Sequence, residues 1–230
     1  MTIYPFLQYP LINIVIIINQ QEEGQTITFF SNNTEESGRS MVEMLGVLAI
    51  VGVLSVGGIA GFSKAMAKYK LDKTLNQISM ILTNVHTTFG DQYSYAGLTT
   101  ARAITYNIVG EDLSHGNSST LINAYNGNVT VNAITTSDGT TDCNVTNEDA
   151  INTTHCPYFK LAYTGLPQQP CIGIATSDWG RAANSNLISI KINDTLFTWG
   201  GENKIPVTFS AANTACNKTD DTNTLTWIFK

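Results

Sequence analysis

Basic residues are scarce in this chain. Its 230 residues hold 12 Lys and Arg against 18 Asp and Glu, for a formal net charge of −6. Such a balance leaves no cationic footprint for a nucleic-acid backbone, so no nucleic-acid partner is expected. Charged residues together make up 13%, about half their usual share of a soluble domain. Asn, Thr, Ser and Gln supply the polar surface instead and crowd the second half. At 43% hydrophobic and 9% aromatic residues, the chain can still build a core, which excludes a disordered polymer. Proline is missing between Pro10 and Pro157, so nothing across that stretch must interrupt a helix. Catalytic signatures are missing too: there is no G-x-S-x-G elbow, H-E-x-x-H, P-loop or dinucleotide fingerprint. The reading is of a non-enzymatic chain without a cofactor.

Long apolar runs are present once. From Met44 to Ser63, 20 consecutive residues carry no charge, which as a helix spans roughly 30 Å, the thickness of a bilayer's hydrocarbon core. Residues 1–38 contain no Lys or Arg and carry Glu22, Glu23, Glu35 and Glu36, unlike a secretory signal with its basic start. They read as a leader, with the true start downstream of about the first 25 residues. Beyond the span, Leu71, Leu75, Ile78, Leu82, Val85 and Phe89 recur at spacings of 4, 3, 4, 3 and 4. That is one apolar stripe on a helix, with Lys68, Asp72, Lys73, Asn76, Gln77 and Asn84 mostly off it. A single helix from Ser40 to Phe89 is expected, its first half (39–63) in lipid and its amphipathic half (64–90) on a folded domain. A coiled coil would need more heptads than follow the span. Gly52, Gly57, Gly58 and Gly61 weaken the helix, and the last three mark its softest point.

Residues 91–230 read as an α+β head. Strand character appears at Asn128–Ile134, Phe159–Tyr163, Leu187–Ile192, Leu196–Trp199 and Thr224–Phe229. Short helices are expected over Thr99–Ile108 and from Pro167 or Pro170 to Thr176. An antiparallel sheet laid on the amphipathic half of the long helix follows. The acidic pairs Glu111–Asp112, Glu148–Asp149 and Asp220–Asp221 read as solvated loop charges, and a calcium loop near Asp220, Asp221 and Asn223 lacks the turn glycine and terminal Glu. Cys143, Cys156, Cys171 and Cys216 form no C-x-x-C pair, and His86, His115 and His155 are scattered, so no metal site is expected. An even cysteine count beyond a membrane span suggests disulfides in an oxidising compartment, with three pairings open.

One local pattern is specific. Gly38 precedes Arg39-Ser-Met-Val-Glu43 and then the uncharged span. A lone carboxylate opening a lipid-embedded helix is costly and needs a partner; as a mere interfacial charge it would pair with Arg39, in the weaker i,i+4 orientation. At these residues the chain resembles the type IV prepilins, with Gly38, Glu43, Ala49 and Gly52 where that family's motif has them. Tyr163-Thr-Gly-Leu-Pro-Gln-Gln-Pro-Cys171-Ile-Gly-Ile-Ala, followed by the late Cys216, resembles the type IVb pilins of the PilS and toxin-coregulated kind. Ser37, Arg39 and Ala60 depart from that pattern, standing where the family has a basic residue, an apolar residue and a proline.

The resemblance implies a pilin fold and a precursor in the bacterial inner membrane, its C-terminal domain periplasmic. It implies cutting by a prepilin peptidase between Gly38 and Arg39, N-methylation of Arg39, and assembly through Glu43 with identical or related subunits into an extracellular filament. It also implies a Cys171–Cys216 bridge closing a C-terminal loop, leaving Cys143–Cys156 as a local staple. A secretion-system pseudopilin shares the N-terminal motif and is the second reading. A signal-anchored periplasmic enzyme or binding protein is the third, and it would need a polar pocket for which no constellation stands out.

Overall fold

The computed structural model describes residues 41–116, 119–143, 145, 147–179 and 186–230. Residues 1–40, among them Gly38 and Arg39, lie outside the described residues. The chain falls into two units, one ending at Gly52 and the other running from Val53 to Lys230. Helix α1 covers Met41–Phe89, 49 residues without a break. In the first unit every residue from Met41 to Gly52 is exposed.

Within the second unit, the amphipathic part of α1 lies against the head. Its buried residues are Thr74, Gln77, Ile78, Ile81, Val85 and Phe89, while Leu71, Leu75 and Leu82 are half-buried along one border. The apolar stripe read from the sequence is therefore rotated: its deepest row runs through Thr74, Ile78, Ile81 and Val85. Two polar residues occur on the buried face, and Gln77 contradicts its expected place off the stripe. Each donates one hydrogen bond, as buried donors ordinarily do. The Thr74 hydroxyl donates to the Lys70 carbonyl at 2.9 Å, and the Gln77 amide donates to Asp112 Oδ2 at 2.6 Å.

The head is a six-stranded sheet in the order β1-β2-β3-β6-β4-β5, with every pair antiparallel. Its strands are β1 (Leu121–Ile122), β2 (Asn128–Ile134), β3 (Tyr158–Leu166), β4 (Leu187–Ile192), β5 (Thr195–Thr198) and β6 (Asn223–Phe229). Alternation along β3 buries Phe159, Leu161, Tyr163 and Leu166, the period-2 signature of a sheet with one face on the core. Phe159 stacks on Phe229 at 5.1 Å and Tyr163 meets Trp227 edge-on at 6.0 Å, cross-strand pairs that hold β6 beside β3. At the end of β3 the register shifts between Tyr163 and Leu166. There Gly127 passes so close that a Cβ would strike the Thr164 carbonyl, and Gly165 sits at φ 70°, a conformation that favours glycine.

β2 and β4 occupy their expected ranges, β3 is longer than expected, β5 is shifted by one residue, and β6 opens one residue early at Asn223. Helix α2 (Thr100–Thr105) stops short of Ile108 because Asn107 turns at φ 54°. Helix α5 (Gln168–Ala175) begins after Pro167 and tolerates Pro170 in its first turn, where no amide bond is lost. The sequence reading missed β1 and the short helices α3 (Glu111–Ser114), α4 (Glu148–Thr153) and α6 (Phe209–Ala215). Two acidic pairs are corrected with them: Glu111–Asp112 and Glu148–Asp149 open helices instead of lying in loops.

Candidate assembly site

The first turn of α1 holds Glu43, on an exposed, otherwise apolar surface. Val42, Leu45, Leu48, Ile50 and Val53 are each more than 60% exposed. Large apolar patches rarely stay open on a soluble monomer. The helix is long and apolar enough to cross a membrane, with a mean hydropathy of 2.3 over its best window and none of that window buried. Around Gly46, Gly52, Gly57, Gly58 and Gly61 the space is open, so another helix can approach closely there. The expected partners of Glu43, the Arg39 side chain and amino group, lie outside the described residues.

The C-terminal loop is tied in three ways. Cys171, in α5, is joined to Cys216, the residue capping α6. Both sulfurs are buried. Asn223 is also fully buried, and its side chain makes four hydrogen bonds. Its Nδ2 donates to the carbonyls of Leu166 (3.0 Å) and Lys218 (2.9 Å), and its Oδ1 accepts from Lys218 N (3.0 Å) and Asn193 Nδ2 (3.0 Å). Asn193, in the β4–β5 turn at φ 51°, also donates to the Ala215 carbonyl at 2.8 Å and accepts from Thr224 N at 2.9 Å. The loop around Asp220 and Asp221 therefore has Asn223 turned inward and fully engaged. The Asp220 carboxyl is held below its usual range, mainly by the Thr222 hydroxyl.

Cys143 is joined to Cys156, which immediately precedes β3's lead-in at Pro157. Beside it the Ser94 hydroxyl accepts from Cys156 N at 2.8 Å and donates to the Thr154 carbonyl at 3.1 Å. His86, on α1, sits edge-on to Phe159 at 5.8 Å, and its burial lowers the imidazole pKa. Burial and, secondarily, the Asp112 charge raise the Tyr163 phenol. Among the described residues no group of three or more His, Cys, Asp or Glu side chains converges. The two asparagines that clamp the loop were missed from the sequence, since Asn is everywhere in this chain. Only the Asn193-Asp194 pair between two strand runs hinted at a structural turn.

The chain is similar to known proteins. The family model described as "PilS N terminal" matches residues 68–230. The major structural subunit of the bundle-forming pilus from Escherichia coli O111:H- is 22% identical over 204 residues, covering 86% of this chain and 97% of that protein. The corresponding subunit from Escherichia coli O127:H6 matches with the same identity and coverage. The crystal structure of a type IV b pilin from Salmonella typhi aligns at 23% identity with a TM-score of 0.44, covering 68% of this chain and 95% of that one. Spanning most of the chain, from the amphipathic part of α1 to the last residue, the family match shows that the chain belongs to the PilS family.

Proposed function

We propose that the chain is a structural subunit of a type IVb pilus, made as an inner-membrane precursor and assembled into a surface filament. The observation that carries this reading is an apolar helix whose whole first part is exposed, bearing Glu43 in its first turn and running on into a sealed head. An exposed apolar helix of this length has two stable environments, lipid and a bundle of like helices, and a pilin uses them in turn. A prepilin peptidase cuts between Gly38 and Arg39, the new amino terminus is methylated, and residues 39–63 move from membrane to filament centre. The amphipathic half, 64–90, carries the head of residues 91–230 outward. Glu43 pairs with the amino group of Arg39 on a neighbouring subunit, satisfying both charges inside a dry bundle. The disulfides form in the periplasm, where the head folds, and the filament is extracellular. The subunit itself catalyses nothing.

Intact mass and N-terminal sequencing of sheared filaments test the assignment. The expected mature start is Arg39 with one added methyl group, and Gly38→Val should leave uncut precursor in the membrane. A different mature start, or filaments built from uncut chains, would overturn the reading.

A further inference from the structure

Directly after the apolar span comes a run of lysines that the assembly site does not use. Lys64, Lys68, Lys70 and Lys73 follow Ser63 within ten residues, with Asp72 the one acid among them. On the other side of the span, residues 24–43 hold one basic residue, Arg39, against Glu35, Glu36 and Glu43. Basic residues ordinarily gather on the cytoplasmic flank of a span. With a periplasmic head, as proposed above, these lysines stand on the opposite flank, so setting orientation is not their use.

They divide by what they touch. Lys70 Nζ lies 5.8 Å from the centre of the Tyr125 ring, and Lys73 Nζ lies 3.5 Å from Asp112 Oδ2, so both are engaged by the head. Lys64 and Lys68 are exposed and make no side-chain hydrogen bond or ion pair among the described residues. Their i,i+4 spacing puts them on one helix face. At a helical rise of 1.5 Å per residue they sit about 1.5 and 7.5 Å past Ser63. The headgroup layer outside the hydrocarbon is about 5–8 Å deep, so both ammonium groups reach it, and a lysine stem can lie along apolar surface while its head stays polar. Lys70 and Lys73, about 10 and 15 Å out, lie beyond that layer. Exposed Phe62 and Tyr69 bracket the pair, as aromatic residues do at headgroup level.

We propose that Lys64 and Lys68 form a clamp for the phosphates of anionic phospholipids in the leaflet on the head side of the span. The inference rests on the membrane-span reading above. The clamp sets the depth of the waiting subunit, and both contacts must break when it is drawn into a filament.

The test reconstitutes the full chain in phosphatidylcholine vesicles containing a trace of spin-labelled phosphatidylglycerol or spin-labelled phosphatidylcholine. Electron paramagnetic resonance then measures how much of each label is held at the protein. The wild type should select the anionic label, by on the order of fivefold per lysine at low salt and less in strong salt. Lys64→Gln/Lys68→Gln should lower that selection at least fivefold, and Lys70→Gln/Lys73→Gln should leave it. Equal preference for the two labels in the wild type, or loss only in the second pair, would overturn the clamp. So would unaltered lipid selection with failed assembly in the first pair, which would give these lysines to a neighbouring subunit. If neither label shows a protein-held fraction, the span itself is absent, and that result separates failure of the membrane reading from failure of the clamp.

Discussion

Asn223 offers the sharpest stability test. It opens β6, its side chain is fully buried, and it joins three separate pieces of the head: the end of β3, the loop at Lys218 and the β4–β5 turn. Asn223→Ala removes all four hydrogen bonds. The Leu166 carbonyl is in a buried residue, so leaving it unpaired costs about 1–3 kcal/mol. The remaining three are part-buried and near exposed Lys218, where water can substitute, and each is worth about 0.5–1 kcal/mol. The expected loss is about 2.5–6 kcal/mol, a large fraction of the roughly 5–15 kcal/mol of a typical domain. Asn223→Asp keeps the shape but turns a carboxylate oxygen towards two carbonyls. It should cost at least as much at neutral pH and recover in part as acid protonates the new carboxyl. Guanidinium unfolding of the full chain in detergent, with disulfides intact, can be followed by tryptophan fluorescence, because Trp227 is buried in the same strand. A loss below about 1 kcal/mol for Asn223→Ala would show that water replaces the side chain and that the clamp carries no net stability.

Three further outcomes are expected. Glu43→Ala should still enter the membrane and be cut but should assemble poorly, since breaking a buried ion pair costs about 3–5 kcal/mol; Arg39→Ala should matter much less. Electron microscopy with blots of membrane fractions decides, and normal filaments from Glu43→Ala would reduce the carboxylate to an interfacial charge. In the chain-entropy view, replacing Cys171 and Cys216 by serine should cost about 4 kcal/mol and replacing Cys143 and Cys156 about 3, because the first loop is longer; unfolding midpoints in the opposite order would refute that account. Burial disfavours the charged imidazole of His86, so its folded pKa lies below the unfolded value of 6.5. The unfolded chain then takes up the proton first, and the contribution to stability is full above pH 6.5 and declines as pH falls towards the lowered value. His86→Phe should flatten that decline in a pH series of unfolding midpoints.

Periodicity and backbone restriction made much of the architecture legible. An uncharged run without proline dictates one long helix, and dense β-branched runs such as Asn128–Ile134 and Leu187–Ile192 could be placed to the residue. What escaped was short or set by tertiary contact. Helices α3 and α6 have too few residues to show a period, and β1 has two. Gln77 looked like a surface residue because its partner, Asp112, lies 35 positions away. Asn223 carries no local mark that distinguishes it from the other asparagines, and Asn193 only its place in a short turn; their weight comes from hydrogen-bond partners that only the fold brings near. At the candidate assembly site, Glu43 stood out because one charge beside a long apolar run is visible at once.

The placement of β6 sets the order in which this head can come into being. The strand made last, β6, lies in the middle of the sheet, with β3 on one side and β4 on the other. Phe159 pairs with Phe229 across seventy residues of chain, and β3 and β4 share no ladder of their own. Such distant pairing is slow, and it cannot begin until the C-terminus is free. An emerging head is thus two unjoined half-sheets with exposed edges, open to mispairing until its final residues arrive. A head without those residues is left with its two half-sheets unjoined, so closing of the whole sheet waits on the strand that is made last.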